Sequence, residues 1–439
     1  MKAIEILTTA NCPLNCKYCY IPKTKYMSIL QKKIDEYLQS DDLIKYLKKA
    51  GKDELEIISF WGAEPLVNLE LMTKRIKEFK EEFPNFYRVE FSTSLILKPT
   101  KIIDLLKECS KNDIKLGVQI SIDGPAYITN ENRMKNAFET IEKNLYYLLD
   151  ETNKLDLNNE LNLRFKPTWS IDNIRTMNES SENFDKMIDW SYNWAKKFKE
   201  YSTNDNVVFR STNQYSTLVV PGKYTSDDGK QFAKLIKKMH ERGVMNTYDS
   251  RLSRVIEFRN EMYKSRMFTC SGGDSNMGLD ENNAHICHRT FYLNSKEYVK
   301  SVMEEKDTEN WDVSVFEQGY LDYINESYIS DMNDELDYTR WKYVMRGYHD
   351  FYKLFINNII AYLKQMALAG QVDKRYLYDD GLCVLFAYFA RSSLNCPMEQ
   401  ILNSGSPHLF PISQIRMFCN GAFQELLKER INSDISRRK

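Results

Sequence analysis

Residues 3–19 read AIEILTTANCPLNCKYC, an apolar run that passes through two threonines into a stretch holding Cys12, Cys16 and Cys19. The run 3–9 reads as a strand. The C-x3-C-x2-C spacing then puts three soft thiolate donors on the loop that follows it, and such donors suit zinc or an iron–sulfur cluster. A closed structural zinc site wants a fourth Cys or His close by. The first histidine is His240, so the triplet points to a four-iron cluster with one iron left open.

The rest of the first half repeats the pattern that Ala3 begins. Strand-like runs at 55–62, 87–93, 116–124, 160–168 and 206–212 alternate with amphipathic stretches at 29–50, 69–83, 100–112, 137–151, 184–201 and 229–243. Short apolar runs alternating with amphipathic helices imply βα units and a parallel sheet. The fold class expected is α/β, a partial (β/α)6 barrel over 1–245, with functional residues at the C-terminal ends of the strands. Cys109 keeps step with Ile102, Leu105 and Leu106 and reads as core.

The second half, 246–439, reads as a mostly helical extension with a helical insertion at about 300–375 and a cysteine-bearing β-hairpin near 270–292. It carries Cys270, Cys287, Cys383, Cys396 and Cys419. His285 and His288 flank Cys287, and read as satisfied histidines rather than ligands.

Composition narrows the partners. With 61 basic against 62 acidic residues, no strong field draws this chain of 439 residues to nucleic acid or to a membrane. No apolar run approaches the roughly 18 residues of a membrane span, and the N-terminus has no secretory pattern. A cytoplasmic protein is expected, in which nine cysteines serve metal or catalysis rather than disulfides.

The segment CPLNCKYCY (12–20) resembles the cluster motif of radical S-adenosylmethionine (SAM) enzymes. The resemblance implies that Cys12, Cys16 and Cys19 hold a 4Fe–4S cluster whose open iron takes SAM. Reductive cleavage of SAM would then yield a 5′-deoxyadenosyl radical that abstracts hydrogen from substrate. FWGAEPL (60–66) looks like that family's Gly-Gly-Glu-Pro segment, with Ala63 at the second glycine, so Gly62, Ala63 and Glu64 would bind the methionyl amine. STSLIL (92–97) sits where Ser-Thr-Asn-Gly is common, making Ser94 a further contact, although Ser94 and Leu95 both depart from the pattern. SIDGPAYITNENR (121–133) is similar to the Ser-Leu-Asp-Gly-Pro segment of peptide-modifying members, which would bring Ser121 and Asp123 near the ribose and carboxylate. Lys166 and Arg164 are candidate partners for the SAM carboxylate, and Tyr18 for the cluster or adenine.

The second half resembles a reduced form of the auxiliary-cluster extension known as SPASM, or its shorter twitch version. That implies one auxiliary 4Fe–4S cluster on Cys270, Cys287 and Cys396, with Cys383 or Cys419 as fourth ligand; the other readings are a cluster with an open iron and a scaffold whose cysteines are only packed. The function implied is modification of a peptide or protein side chain by a maturase fed by an electron donor such as flavodoxin or ferredoxin. The alternatives are a radical SAM dehydrogenase or isomerase of a small molecule, and an iron–sulfur protein that has lost catalysis.

Overall fold

The computed structural model describes residues 2–19, 21, 25–157, 161–169, 171–201, 207–209, 216–217, 225–242, 276–281, 283–285, 291, 328–331, 360–383, 421 and 424–425. They fall into two compact units. The first comprises 1–165, 195–210 and 271–345; the second comprises 166–194, 211–270 and 346–439.

The first unit is built on one sheet. Strands β1 (Ala3–Thr9), β2 (Ile57–Gly62), β3 (Arg88–Thr93), β4 (Lys115–Ile120), β5 (Leu161–Phe165) and β7 (Val207–Phe209) stand side by side in that order, each parallel to the next. Helices α1 (Lys25–Gln39) and α2 (Asp42–Gly51) connect β1 to β2, α3 (Leu69–Glu82) connects β2 to β3, and α4 (Thr100–Lys111) connects β3 to β4. Helices α5 (Ala126–Asn132) and α6 (Ala137–Asn153) follow β4. This is the α/β arrangement the alternation implies.

Register decides what each face carries. Ile4, Ile58, Val89, Leu116 and Leu161 share one rung, and Ile6, Phe60, Phe91, Val118 and Leu163 share another on the same face. All are buried. α1 and α2 pack on β1, α4 on β4, and α3, α4 and α6 lie against one another in turn. The opposite face is polar: Glu5, Ser59, Glu90, Gly117 and Asn162 form one rung, and Ser92, Gln119 and Arg164 align on the next. A parallel sheet is normally covered on both faces by apolar elements. One helix-covered apolar face and one polar face are what a strand layer lining an interior requires.

Several elements differ from expectation. The stretch 29–50 is two helices, because Ser40 closes α1 by donating its backbone N–H and hydroxyl to Tyr37 O, and Asp42 starts α2. β4 stops at Ile120 rather than 124; Ser121 N–H still bonds Thr93 O, but Gly124 at φ 145° and Pro125 turn the chain into the short helix α5. The hairpin of the second half is β9 (Asn276–Leu279) and β10 (Asn283–His285), and β9 runs parallel to β1, extending the barrel's own sheet. Within 300–375, expected to be helical, residues 328–331 are strand β11, paired antiparallel to β10. Tyr328 and Ile329 favour a pleated surface. Helix is found there at 360–368.

The second unit holds the two-stranded β6 (Thr168–Trp169) and β8 (Ser216–Thr217), helix α7 (Ile171–Asn178), part of α8 (Ser181–Tyr201), and α9 (Ser226–Glu241). Buried Asp228 caps α9 through Thr225 N–H and takes the Arg175 guanidinium at 2.8 Å on each oxygen, joining α7 to α9.

Candidate active site

The cysteine loop leaves β1 at Thr9 under tight control. Gln31 Oε1, on α1, accepts from Thr9 Oγ1 at 2.9 Å, from Ala10 N–H at 2.8 Å and from Asn11 N–H at 3.1 Å. Its amide nitrogen donates to Asp35, which also receives Asn68 Nδ2, and Asn68 in turn donates to Thr8 O. Cys12 and Cys16 are half-buried and Cys19 is exposed, and none of the three is in a disulfide among the described residues. Burial pushes the Cys12 thiol up to about 12, partly offset by Leu14 N–H donating to its sulfur at 3.4 Å. Three thiols on one loop are the donor set an iron–sulfur cluster takes. Among the described residues no group of three Cys, His, Asp or Glu side chains already stands in a metal-binding arrangement. Loading would draw the sulfurs together and release the Cys12 proton.

The Gly62–Glu64 segment is bound to that loop along its backbone. Ala63 N–H donates to Thr9 O at 2.9 Å and Glu64 N–H to Asn11 O at 3.0 Å. Gly62 has φ 141°, and a Cβ there would stand 2.2 Å from Thr9 O, so the close approach demands glycine. Glu64 is 1% exposed. Its carboxylate accepts Thr93 Oγ1 at 2.6 Å and Leu66 N–H at 3.3 Å on Oε1, and Ser94 N–H at 2.8 Å and Ser94 Oγ at 2.5 Å on Oε2. No basic side chain pairs with it among the described residues. A buried carboxylate with oriented donors and no cation fits an ammonium group.

At the end of β3, Leu95 takes φ 56°, a left-handed conformation that strains a bulky residue. This is the position at which the resembling segments carry glycine. Leu95 holds it because its N–H bonds Thr93 Oγ1 at 2.9 Å and its side chain is fully buried.

Beyond β4 the site residues divide. Ser121 is half-buried, and its N–H completes the ladder to Thr93. Asp123 is fully buried, and both its oxygens are engaged. Arg133 Nε and Nη2 reach them at 2.9 Å each, and Tyr18 Oη donates at 2.9 and 2.7 Å. The Arg133 guanidinium also stacks 5.5 Å from the centre of the Tyr18 ring. Arg133 ends the 121–133 segment, ten positions beyond Asp123, and nothing local in the sequence pairs the two.

Residues 6–155 match the Radical SAM superfamily. This segment is a radical SAM domain. The family's cofactors are a 4Fe–4S cluster and SAM. Over 152 residues the chain is 27% identical to GTP 3',8-cyclase of Clostridium botulinum (strain Okra / Type B1), covering 32% of this chain and 43% of that protein. Over 160 residues it is 28% identical to the radical SAM cyclopropyl synthase TigE of Paramaledivibacter caminithermalis, covering 32% of each. The match therefore spans less than half the length of these curated relatives. Among solved structures, native anSMEcpe with bound AdoMet and Cp18Cys peptide aligns with 98% of this chain and 99% of its own at 13% identity and a TM-score of 0.49.

The polar face of the sheet carries pairs of its own. Glu90 on β3 pairs there with Arg88 at 2.5 Å and with Arg164 at 3.7 Å, and Gln119 Nε2 donates to Ser92 Oγ at 2.6 Å. Lys166 is half-buried and belongs to the other compact unit. Cys270, Cys287, His288, Cys396 and Cys419 lie outside the described residues. Cys383 is buried, and its thiol donates to Tyr376 O at 3.1 Å. His285, in the hairpin, is buried and shares a 2.6 Å hydrogen bond with Asp280. Cys109 lies in the core, its thiol raised by burial. No described helix is long and apolar enough to cross a membrane.

Proposed function

We propose that this chain is a radical SAM enzyme that modifies a peptide or protein side chain. Cys12, Cys16 and Cys19 hold the cluster, and Glu64 takes the SAM amino group. When bound, the cluster and SAM supply the 5′-deoxyadenosyl radical that removes hydrogen from substrate. Thr93 and Ser94 orient the Glu64 carboxylate, Ala63 and Gly62 keep it against the cysteine loop, and Ser121 contacts the ribose and carboxylate. The polar face bearing Glu90, Gln119 and Arg164 receives the substrate.

The observation that carries this reading is the Glu64 carboxylate, buried and fully oriented yet without a cation among the described residues. The peptide substrate is supported by the Ser-Ile-Asp-Gly-Pro segment and by the late cysteines. The proposed auxiliary cluster takes Cys270, Cys287 and Cys396, with Cys383 or Cys419 as fourth ligand. Domains at 1–245 and 246–439, a flavodoxin or ferredoxin donor and a cytoplasmic location complete the proposal.

The test is anaerobic reconstitution of wild type and Cys16→Ala, followed by assay of 5′-deoxyadenosine with dithionite as reductant. Wild type forms it and the variant does not. Undiminished formation in the variant overturns the assignment.

A further inference from the structure

We infer that the buried Asp123–Arg133 pair is a positioning device that grips the cysteine loop and sets the reduction potential of the cluster held there. The inference rests on the reading above that Cys12, Cys16 and Cys19 hold a cluster. Lys17 and Tyr18 are the two residues between Cys16 and Cys19, and the segment after β4 holds both. Lys17 N–H donates to Asn132 O at 2.9 Å, and the Lys17 ammonium meets Glu131 at 3.1 Å. Tyr18 donates its hydroxyl to Asp123 and lays its ring under Arg133. The spacing of Cys16 and Cys19 is therefore clamped at both intervening residues.

The pair has no need to be ionic for stability. Its side chains are 5% and 0% exposed, and taking two such charges out of water costs several kcal/mol per ion, which apolar residues of similar volume avoid. What an ion pair adds is geometry and field. The bidentate fork fixes Asp123, and Asp123 fixes Tyr18. Both charges rest on Tyr18, which stands directly before Cys19 and two residues after Cys16. Charge near an iron–sulfur cluster shifts its potential: a positive group favours the reduced form and a negative group the oxidised form. In the intact pair the two effects oppose each other.

Opposition gives a test that a purely structural role does not pass. The full chain is reconstituted, and the cluster whose electron paramagnetic resonance signal changes on SAM addition is titrated in wild type, Asp123→Asn, Arg133→Gln, the double variant and Arg133→Lys. Asp123→Asn leaves the cation uncompensated and shifts the potential upward. Arg133→Gln shifts it downward. The double variant and Arg133→Lys return it to the wild-type value. Single variants that move the potential in the same direction, or not at all, overturn the inference. Where a single variant loads no cluster, the other two decide: a double variant or Arg133→Lys displaced from wild type overturns it as well. Folded variants that all lose the cluster reduce the pair to a structural clamp and also overturn it. A wild-type chain with no SAM-responsive cluster instead defeats the functional reading itself.

Discussion

Glu64, just past β2, and Ser94, just past β3, are joined twice on one oxygen: Ser94 N–H reaches Oε2 at 2.8 Å and Ser94 Oγ at 2.5 Å. Adjacent parallel strands thus deliver an acid and the donors that aim it. Ser94→Ala removes the hydroxyl bond and keeps the backbone one. At about 1 kcal/mol for one such bond, SAM binding weakens about fivefold, as read by equilibrium dialysis. An unchanged Kd would mean that Ser94 does not orient Glu64.

Gly62 stands where the cysteine loop and the Glu64 segment touch. Gly62→Ala forces a side chain to within 2.2 Å of Thr9 O at φ 141°. Backbone strain of this kind costs about 1–3 kcal/mol before any clash is counted, so denaturant unfolding should register a loss of at least about 2 kcal/mol. Ala63→Gly is the control, expected to stay within about 1 kcal/mol of wild type. Equal effects of the two substitutions would remove the steric argument.

Leu95 poses a contest between strain and burial. Its φ of 56° costs about 1 kcal/mol that glycine would relieve. Its side chain is fully buried, and emptying such a site costs about 2–5 kcal/mol. Burial wins, and Leu95→Gly is expected to lower stability by about 1–4 kcal/mol although glycine suits the backbone. A stabilised variant would show that the cavity closes.

Two thiols give a pH dependence in the metal-free, reduced protein. Burial raises both Cys12, to about 12, and Cys109 above the ordinary value of 9.0. A thiol held neutral in the folded state contributes stability that is complete below the unfolded pKa and lost as pH rises toward the folded one. Stability should therefore hold to about pH 9 and then fall by roughly 1 kcal/mol per unit for each thiol. Cys109→Ala should flatten that slope in alkaline urea titrations at matched reductant. An unaltered slope would place the alkaline loss elsewhere.

Much of this was legible locally. The strand-helix alternation, the cysteine spacing and the Gly62–Glu64 segment each lie within a few residues, and periodicity and side-chain chemistry act at that range. Ala63 and Leu95 departed from the resembling pattern, yet backbone bonds to Thr9 and Thr93 hold their places regardless. Asp123 reads as a cofactor contact from the likeness of SIDGPAYITNENR (121–133) to the Ser-Leu-Asp-Gly-Pro segment. The structure supplies Tyr18 from 105 positions away and Arg133 from the far end of α5.

What the amino-acid order determined by itself was the strand-helix alternation of the first half and the chemistry at its strand ends, because both follow from nearest-neighbour conformational preference and from ligand type. What only the tertiary structure decided was pairing. The hairpin strand Asn276–Leu279 lies beside Ala3–Ile6, and a polar rung runs from Glu5 through Glu90 to Asn162. Strand order and register between distant segments are set by which faces must be buried together, and that requirement exists only once the whole sheet has formed.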